Sequence, residues 1–97
     1  MFGGVPTRYF CQTKSTLALR AFEDGVVVYD EADGSLHALS PVAGDVLGHL
    51  IRHAERLSDV DLARLVLQDE PEATDLEHIG NLLSGLVDLG LVEQAAT

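Results

Sequence analysis

Two histidines at four-residue spacing, one cysteine and one acidic run are the features of this sequence that could carry chemistry. His49 and His53 stand at i and i+4, a spacing that puts two imidazoles on one helix face, where they could hold a metal ion. No third ligand follows at a telling spacing and no cysteine pair supports them, so they read as polar-face residues of a helix. His37 alternates with Leu36 and Ala38 and reads as a surface strand residue rather than a general base, and His78 reads as a solvent-facing helix residue. Cys11 would need a partner base and a lowered pKa to act as a nucleophile, and the sequence places neither beside it. Asp30, Glu31 and Asp33 lack the regular spacing and terminal Glu of a calcium loop and read as a solvated turn. Gly3-Gly4 starts no phosphate loop, and no Ser-His-Asp or paired-carboxylate arrangement stands out. The expectation is a protein that binds rather than catalyses, with no metal and no cofactor.

Charge narrows the partners. The 97 residues hold 6 Lys and Arg against 16 Asp and Glu, a formal net charge of −10. The cations are scattered in sequence, with Arg8, Lys14 and Arg20 early, Arg52, Arg56 and Arg64 in the middle, and none in the last 33 residues. A chain of this kind repels phosphate backbones, so nucleic acid and anionic membranes are not expected partners. Hydrophobic residues make up 46%, aromatics only 5%, and Trp is absent, which leaves the core to aliphatic side chains. No apolar run approaches the roughly 20 residues of a membrane helix. The start, MFGGVPTRYFCQ, lacks the pattern of a signal peptide, and a single cysteine allows no internal disulfide, so the cytoplasm is the expected compartment.

The elements that must position any site follow from periodicity. Residues 1–15 read as an N-terminal arm with a short strand near 8–12, and residues 16–94 as one domain. Leu17, Leu19 and Ala21 alternate with Ala18, Arg20 and Phe22, a strand period. Glu23-Asp24-Gly25 marks a turn, and Val26–Tyr29 follows as an apolar run suited to a central strand covered on both faces. Asp33-Gly34 marks the next turn, before a third strand at Ser35–Leu39, giving an antiparallel meander with the first and third strands as edges. Ser40-Pro41 starts a helix that runs to about His53, Ser58-x-x-Asp61 starts a second that breaks at Asp69-Glu70-Pro71, and Thr74-x-x-Glu77 starts a third that Gly90 ends. Leu91-Val92 tuck back onto the core. The expected class is α+β and winged-helix-like: a three-stranded antiparallel sheet, then a three-helix cluster.

The third helix carries more apolar positions than a one-sided stripe requires. Leu76, Ile79, Leu83 and Leu86 form the stripe, while Leu82 and Leu89 fall beside it, next to the small residues Gly80, Ser84 and Gly85. Such a surplus points to a groove lined by Leu82, with Ile79 and Leu86 supporting it from the core.

The run Asp24-Gly25-Val26-Val27-Val28-Tyr29-Asp30, the turn with Gly34, Leu36-His37-Ala38-Leu39-Ser40-Pro41 with Ala43 and Leu47, and the ending Leu86–Glu93 resemble the PqqD-like peptide chaperones, also called RiPP recognition elements. The resemblance spans about Thr16–Glu93, and Leu17–Phe22 is most similar to the branch found alongside HPr-kinase-like proteins. It implies a non-catalytic adaptor that captures the leader segment of a precursor peptide and presents it to a modifying enzyme. The peptide would add a strand to the third strand and lie against the last helix. Leu36, His37, Ala38, Leu39, Ile79, Leu82, Leu83 and Leu86 are then the peptide-binding set. The negative charge suits a basic peptide or partner enzyme, and an open edge allows a monomer or a dimer. The competing readings are a structural subunit of a larger enzyme and a winged-helix DNA-binding protein. Against the second, the third helix offers only Asn81 to bases, beside Asp75, Glu77 and Asp88.

Overall fold

The computed structural model describes residues 7–11, 16–53 and 55–95. Their order is β1 (Arg8–Phe10), β2 (Leu17–Phe22), β3 (Gly25–Asp30), β4 (Ser35–Leu39), α1 (Pro41–Arg52), β5 (Leu57–Ser58), α2 (Asp59–Leu67), α3 (Ala73–Asp88) and β6 (Glu93–Ala95). The fold is α+β. Strands β2-β3-β4 form the antiparallel meander, with β2 and β4 as its edges. A second three-stranded sheet, ordered β5-β1-β6, corrects the strands-then-helices order, because its members are interleaved with the helices. The short strand expected near residues 8–12 is part of this sheet. Arg8–Phe10 is the central strand of that sheet and Cys11 is buried in the core, while residues 1–6 and 12–15 lie outside the described residues.

Local chemistry sets the helix ends. The Ser40 hydroxyl accepts from the Ala43 N–H at 3.2 Å, with Pro41 at the first helical position. Ser58 and Asp61 form a reciprocal capping box at the start of α2 (3.1 and 3.2 Å). α3 starts two residues earlier than Thr74-x-x-Glu77 suggests: Glu72 is the N-cap, and Asp75 Oδ2 accepts its N–H at 2.9 Å. A carboxylate three residues on serves a backbone N–H as well at this position as at the next pair, so the motif alone did not fix the register. Gly90 (φ 80°) closes α3: its N–H donates to Val87 O at 2.9 Å and that of Leu91 to Leu86 O at 3.0 Å. This turn buries Leu91 and Val92 and leads into β6.

The meander register decides which side chains share a face. Val26, Val28 and Asp30 lie opposite Ala21, Leu19 and Leu17 on one side and Leu39, His37 and Ser35 on the other. Directly opposed residues share a face, and this is the face on which α1 packs over Val26 and Val28, while Leu19 and Ala21 at the β2 end stay exposed. Val28 is fully buried with Val46, Leu47, Leu50, Leu62, Leu83 and Leu86. α1 approaches closely enough that a Cβ on Gly44 would lie 2.3 Å from a methyl of Val26. The opposite face carries Val27 and Tyr29, and Tyr29 is exposed. The expectation of a central strand covered on both faces is therefore corrected, because α1 packs on the Val28 side and Tyr29 on the other side is exposed. No described helix is long and apolar enough to cross a membrane.

Candidate functional site

One hydrogen bond outside the strands sets the backbone phase of the β4 edge. The Glu31 N–H donates to Thr16 O at 2.9 Å, one opposed pair beyond Leu17–Asp30. Bonded pairs alternate in an antiparallel ladder, so Ala18–Tyr29, Arg20–Val27 and Phe22–Gly25 are the bonded pairs of β2 and β3. Val26, Val28 and Asp30 must then turn their amides and carbonyls toward β4, where they meet Leu39, His37 and Ser35. The Gly34 N–H on Asp30 O (2.8 Å) agrees with that direction. Leu36 and Ala38 are left with their N–H and C=O groups pointing away from the sheet.

Along this edge runs an apolar groove of about 420 Å³. Ala38 and Leu39 form one wall, and Leu82, Leu86 and Leu89 of α3 form the other. Ser40 and Ala43, from the start of α1, close one end, and Asn81 and Gly85 sit on the α3 side. A Cβ on Gly85 would meet nothing within 4 Å, so the groove is open there.

The structure thus brings together four of the eight residues expected from sequence: Ala38, Leu39, Leu82 and Leu86. Ile79 and Leu83 belong to the core and do not line the groove, because they lie on the side of α3 turned toward α1 and α2. Leu86 is almost fully buried and forms the floor, whereas Leu82 is half-buried with one side on the core. Leu36 points to the outer face of the meander and is 67% exposed, so only its backbone belongs to this edge. His37 shares the inner face with Val28, and its Nε2 lies 3.3 Å from the Ser35 hydroxyl. Leu89, Ala43, Gly85, Ser40 and Asn81 were missed. Leu89 beside the apolar stripe and Gly85 among its small neighbours were the sequence signals among them, whereas Ser40, Ala43 and Asn81 carried none for a groove.

The remaining candidates take structural positions. His53 Nδ1 lies 2.7 Å from His49 O, and the two rings stand 5.9 Å apart. Partial burial, then the charges of Arg52 and His53, hold the His49 pKa below its ordinary value. Among the described residues no group of three or more His, Cys, Asp or Glu could hold a metal ion. The acidic turn is internally bonded: Asp30 Oδ1 accepts from Thr16 Oγ1 (2.9 Å) and the Ala32 N–H (3.0 Å), and Asp33 Oδ1 from the Ser35 N–H (2.9 Å). The Ser35 side chain, then its backbone N–H, keep the Asp33 carboxyl below its ordinary pKa.

The scattered cations are a correction. Folding gathers Arg8, Arg56 and Arg64 around one depression, with His53, Glu55 and Asp61. Arg8 bonds to Arg56 O (3.4 Å) and lies 3.8 Å from Asp61, Arg56 sits 4.8 Å over the Phe10 ring, and Arg64 pairs with Glu70 at 3.2 Å. Two of the three cations are thus matched by carboxylates of the chain itself. No family model, characterised protein or solved structure matches this chain.

Proposed function

We propose that this protein is a non-catalytic peptide-binding adaptor. It takes the leader segment of a precursor peptide as an added strand on β4 and holds it for a modifying enzyme. The observation that carries this reading is a coincidence of two features. The β4 edge, unpaired among the described residues, runs beside the apolar groove against α3. A strand added about 4.8 Å from β4 would bond through Leu36 and Ala38 and send alternate side chains into the groove. Backbone bonds supply affinity there, and the pocket between Leu82, Leu86 and Leu89 supplies selectivity for an apolar side chain. The β2 edge has the same free backbone groups at alternate positions, but the groove against α3 runs along β4. The resemblance to PqqD-like chaperones supports the same reading: it implies this edge, this helix and a winged-helix-like arrangement of the meander and helices.

The test is amide hydrogen exchange on the whole chain, with synthetic peptides from short precursor-like reading frames beside its gene. Binding should slow exchange at Leu36 and Ala38 while leaving the already bonded His37 unchanged. A peptide that binds while both amides keep their free-state exchange rates would overturn strand addition at this edge.

A further inference from the structure

The outer face of the meander is apolar, and no described element covers it. By register it carries Ala18, Arg20 and Phe22 from β2, Val27 and Tyr29 from β3, and Leu36 and Ala38 from β4. Phe22 is 54% exposed, Tyr29 42% and Leu36 67%. With side chains of this size that is roughly 300 Å² of apolar surface, comparable to the patches that mark interaction sites on monomers. The composition is also selective. In a chain with 16 acidic residues, none of these seven is acidic, and the one charge is Arg20. Aromatic residues and arginine, with carboxylates excluded, are what protein interfaces concentrate at their centres. Arg20 has no hydrogen-bond or ion-pair partner among the described residues.

The acidic residues stand at the two ends of the face. Glu23 and Asp24 form the turn at one end, and Asp30, Glu31 and Asp33 lie at the other. A strand of this length separates the two groups by about 20 Å. This layout discriminates between occupants. In an aligned two-fold stack of two copies, the turn of one copy meets either the same turn or the opposite one in its partner. Both arrangements bring carboxylates against carboxylates. A second copy is therefore not favoured.

We infer that the outer face of the meander docks a different protein. That partner's patch has an apolar centre, a carboxylate to meet Arg20, and Lys or Arg on both sides about 20 Å apart. The small area makes this a transient contact of the kind an adaptor makes with an enzyme. The inference does not depend on peptide binding at β4, since it rests on the side chains of the outer face and not on the backbone groups of the β4 edge.

The probe is a synthetic amphipathic helical peptide with a leucine stripe, a central Glu and Lys pairs at both ends. Its control has every charge reversed. In titrations of the isotope-labelled full chain, the Lys-ended probe should shift the amides of Phe22, Val27, Tyr29 and Leu36. It should bind about tenfold tighter than its control, a difference of about 1.4 kcal/mol. Arg20→Glu, an exchange at an exposed strand position, should erase most of that preference. Tyr29→Ser with Leu36→Ser should abolish binding while the thermal transition persists. Equal affinity for the two probes, or shifts confined to the groove between β4 and α3, would overturn the inference. So would a concentration-dependent dimer in sedimentation that Leu36→Ser dissolves, because the occupant would then be a second copy.

Discussion

Proline at neighbouring positions of β4 separates the two sides of its backbone. His37 is the residue whose N–H turns inward to the Val28 carbonyl, and Ala38 is the one whose N–H turns outward. His37→Pro removes that inward donor and leaves a carbonyl without a partner beside the fully buried Val28. An unmet buried acceptor costs about 1–3 kcal/mol, and full burial of Val28 puts this one toward the upper end, about 3 kcal/mol. For a domain of this length each kcal/mol shifts the midpoint by about 4–8 °C, so the expected fall in Tm is roughly 12–24 °C. Ala38→Pro removes no bond from the free protein and should stay within about 1 kcal/mol of the parent. It does remove a donor to an added strand, and its ring occupies the line along which that strand approaches. Loss of one net hydrogen bond, about 1 kcal/mol, already weakens binding about fivefold, and the steric term adds to it. Circular dichroism melts measure the first effect. Calorimetry, with a peptide that protects Leu36 and Ala38 from exchange, measures the second. If Ala38→Pro melts early and His37→Pro does not, the β4 ladder has the opposite phase. If both variants fold and bind like the parent, strand addition at β4 is wrong.

Other perturbations probe separate parts of the molecule. Gly44→Ala forces a methyl into Val26 and should destabilise by about 1–3 kcal/mol, read from a denaturant midpoint, whereas the same change at Gly85 meets open space and should not. Leu83→Ala in the core should cost about 2–5 kcal/mol, whereas Leu89→Ser, 47% exposed at the groove, should leave the melt nearly unchanged and weaken peptide binding in calorimetry. Because His49 has a lowered pKa in the fold, the unfolded chain binds more protons just below pH 6.5. Stability should therefore fall as pH drops from 6.5 toward the lower folded value, and His49→Gln should flatten that part of the melting profile. Duplex DNA at about 0.15 M salt should give no sequence-preferring mobility shift, since screening at that salt leaves few contacts for a chain of net charge −10.

The meander and the helices were legible because each is long enough to show a period. β2 alternates over six residues, and β3 and β4 are bounded by turn residues. Ser40-Pro41 and Ser58-x-x-Asp61 stand at the true starts of α1 and α2. The second sheet was not legible. β5 has two residues and β6 three, too few for a period of two to appear, and their pairing with Arg8–Phe10 spans 48 residues or more in sequence. Periodicity reports only local facing, and such contacts are set by the tertiary packing around Cys11, Leu57 and Ala95. The gathering of Arg8, Arg56 and Arg64 was hidden for the same reason, since the pairing of β1 with β5 brings residues distant in sequence to one place.

The candidate site was half legible, and the division follows side chain against backbone. The apolar surplus at Leu82 and Leu89 shows in sequence because it departs from the stripe of a one-sided helix. Val26–Tyr29 looked like a strand covered on both faces because apolarity does not say what covers it. The register shows that Val27 and Tyr29 instead share an open face with Phe22 and Leu36. The backbone phase of β4 has no sequence signature at all, since His37 and Ala38 have equivalent amides until a ladder bond is placed. One bond outside the strands, from Glu31 to Thr16, fixes that phase through two registers. Leu36 and Ala38 consequently carry two roles that the sequence cannot separate. Their side chains lie on the outer face, and their amides lie on the edge toward the groove. A partner on the outer face and a peptide on the edge would meet at these two residues. Leu36→Ser alters the first contact and spares the second, whereas Ala38→Pro does the reverse, so this pair of variants separates the two sites in one protein.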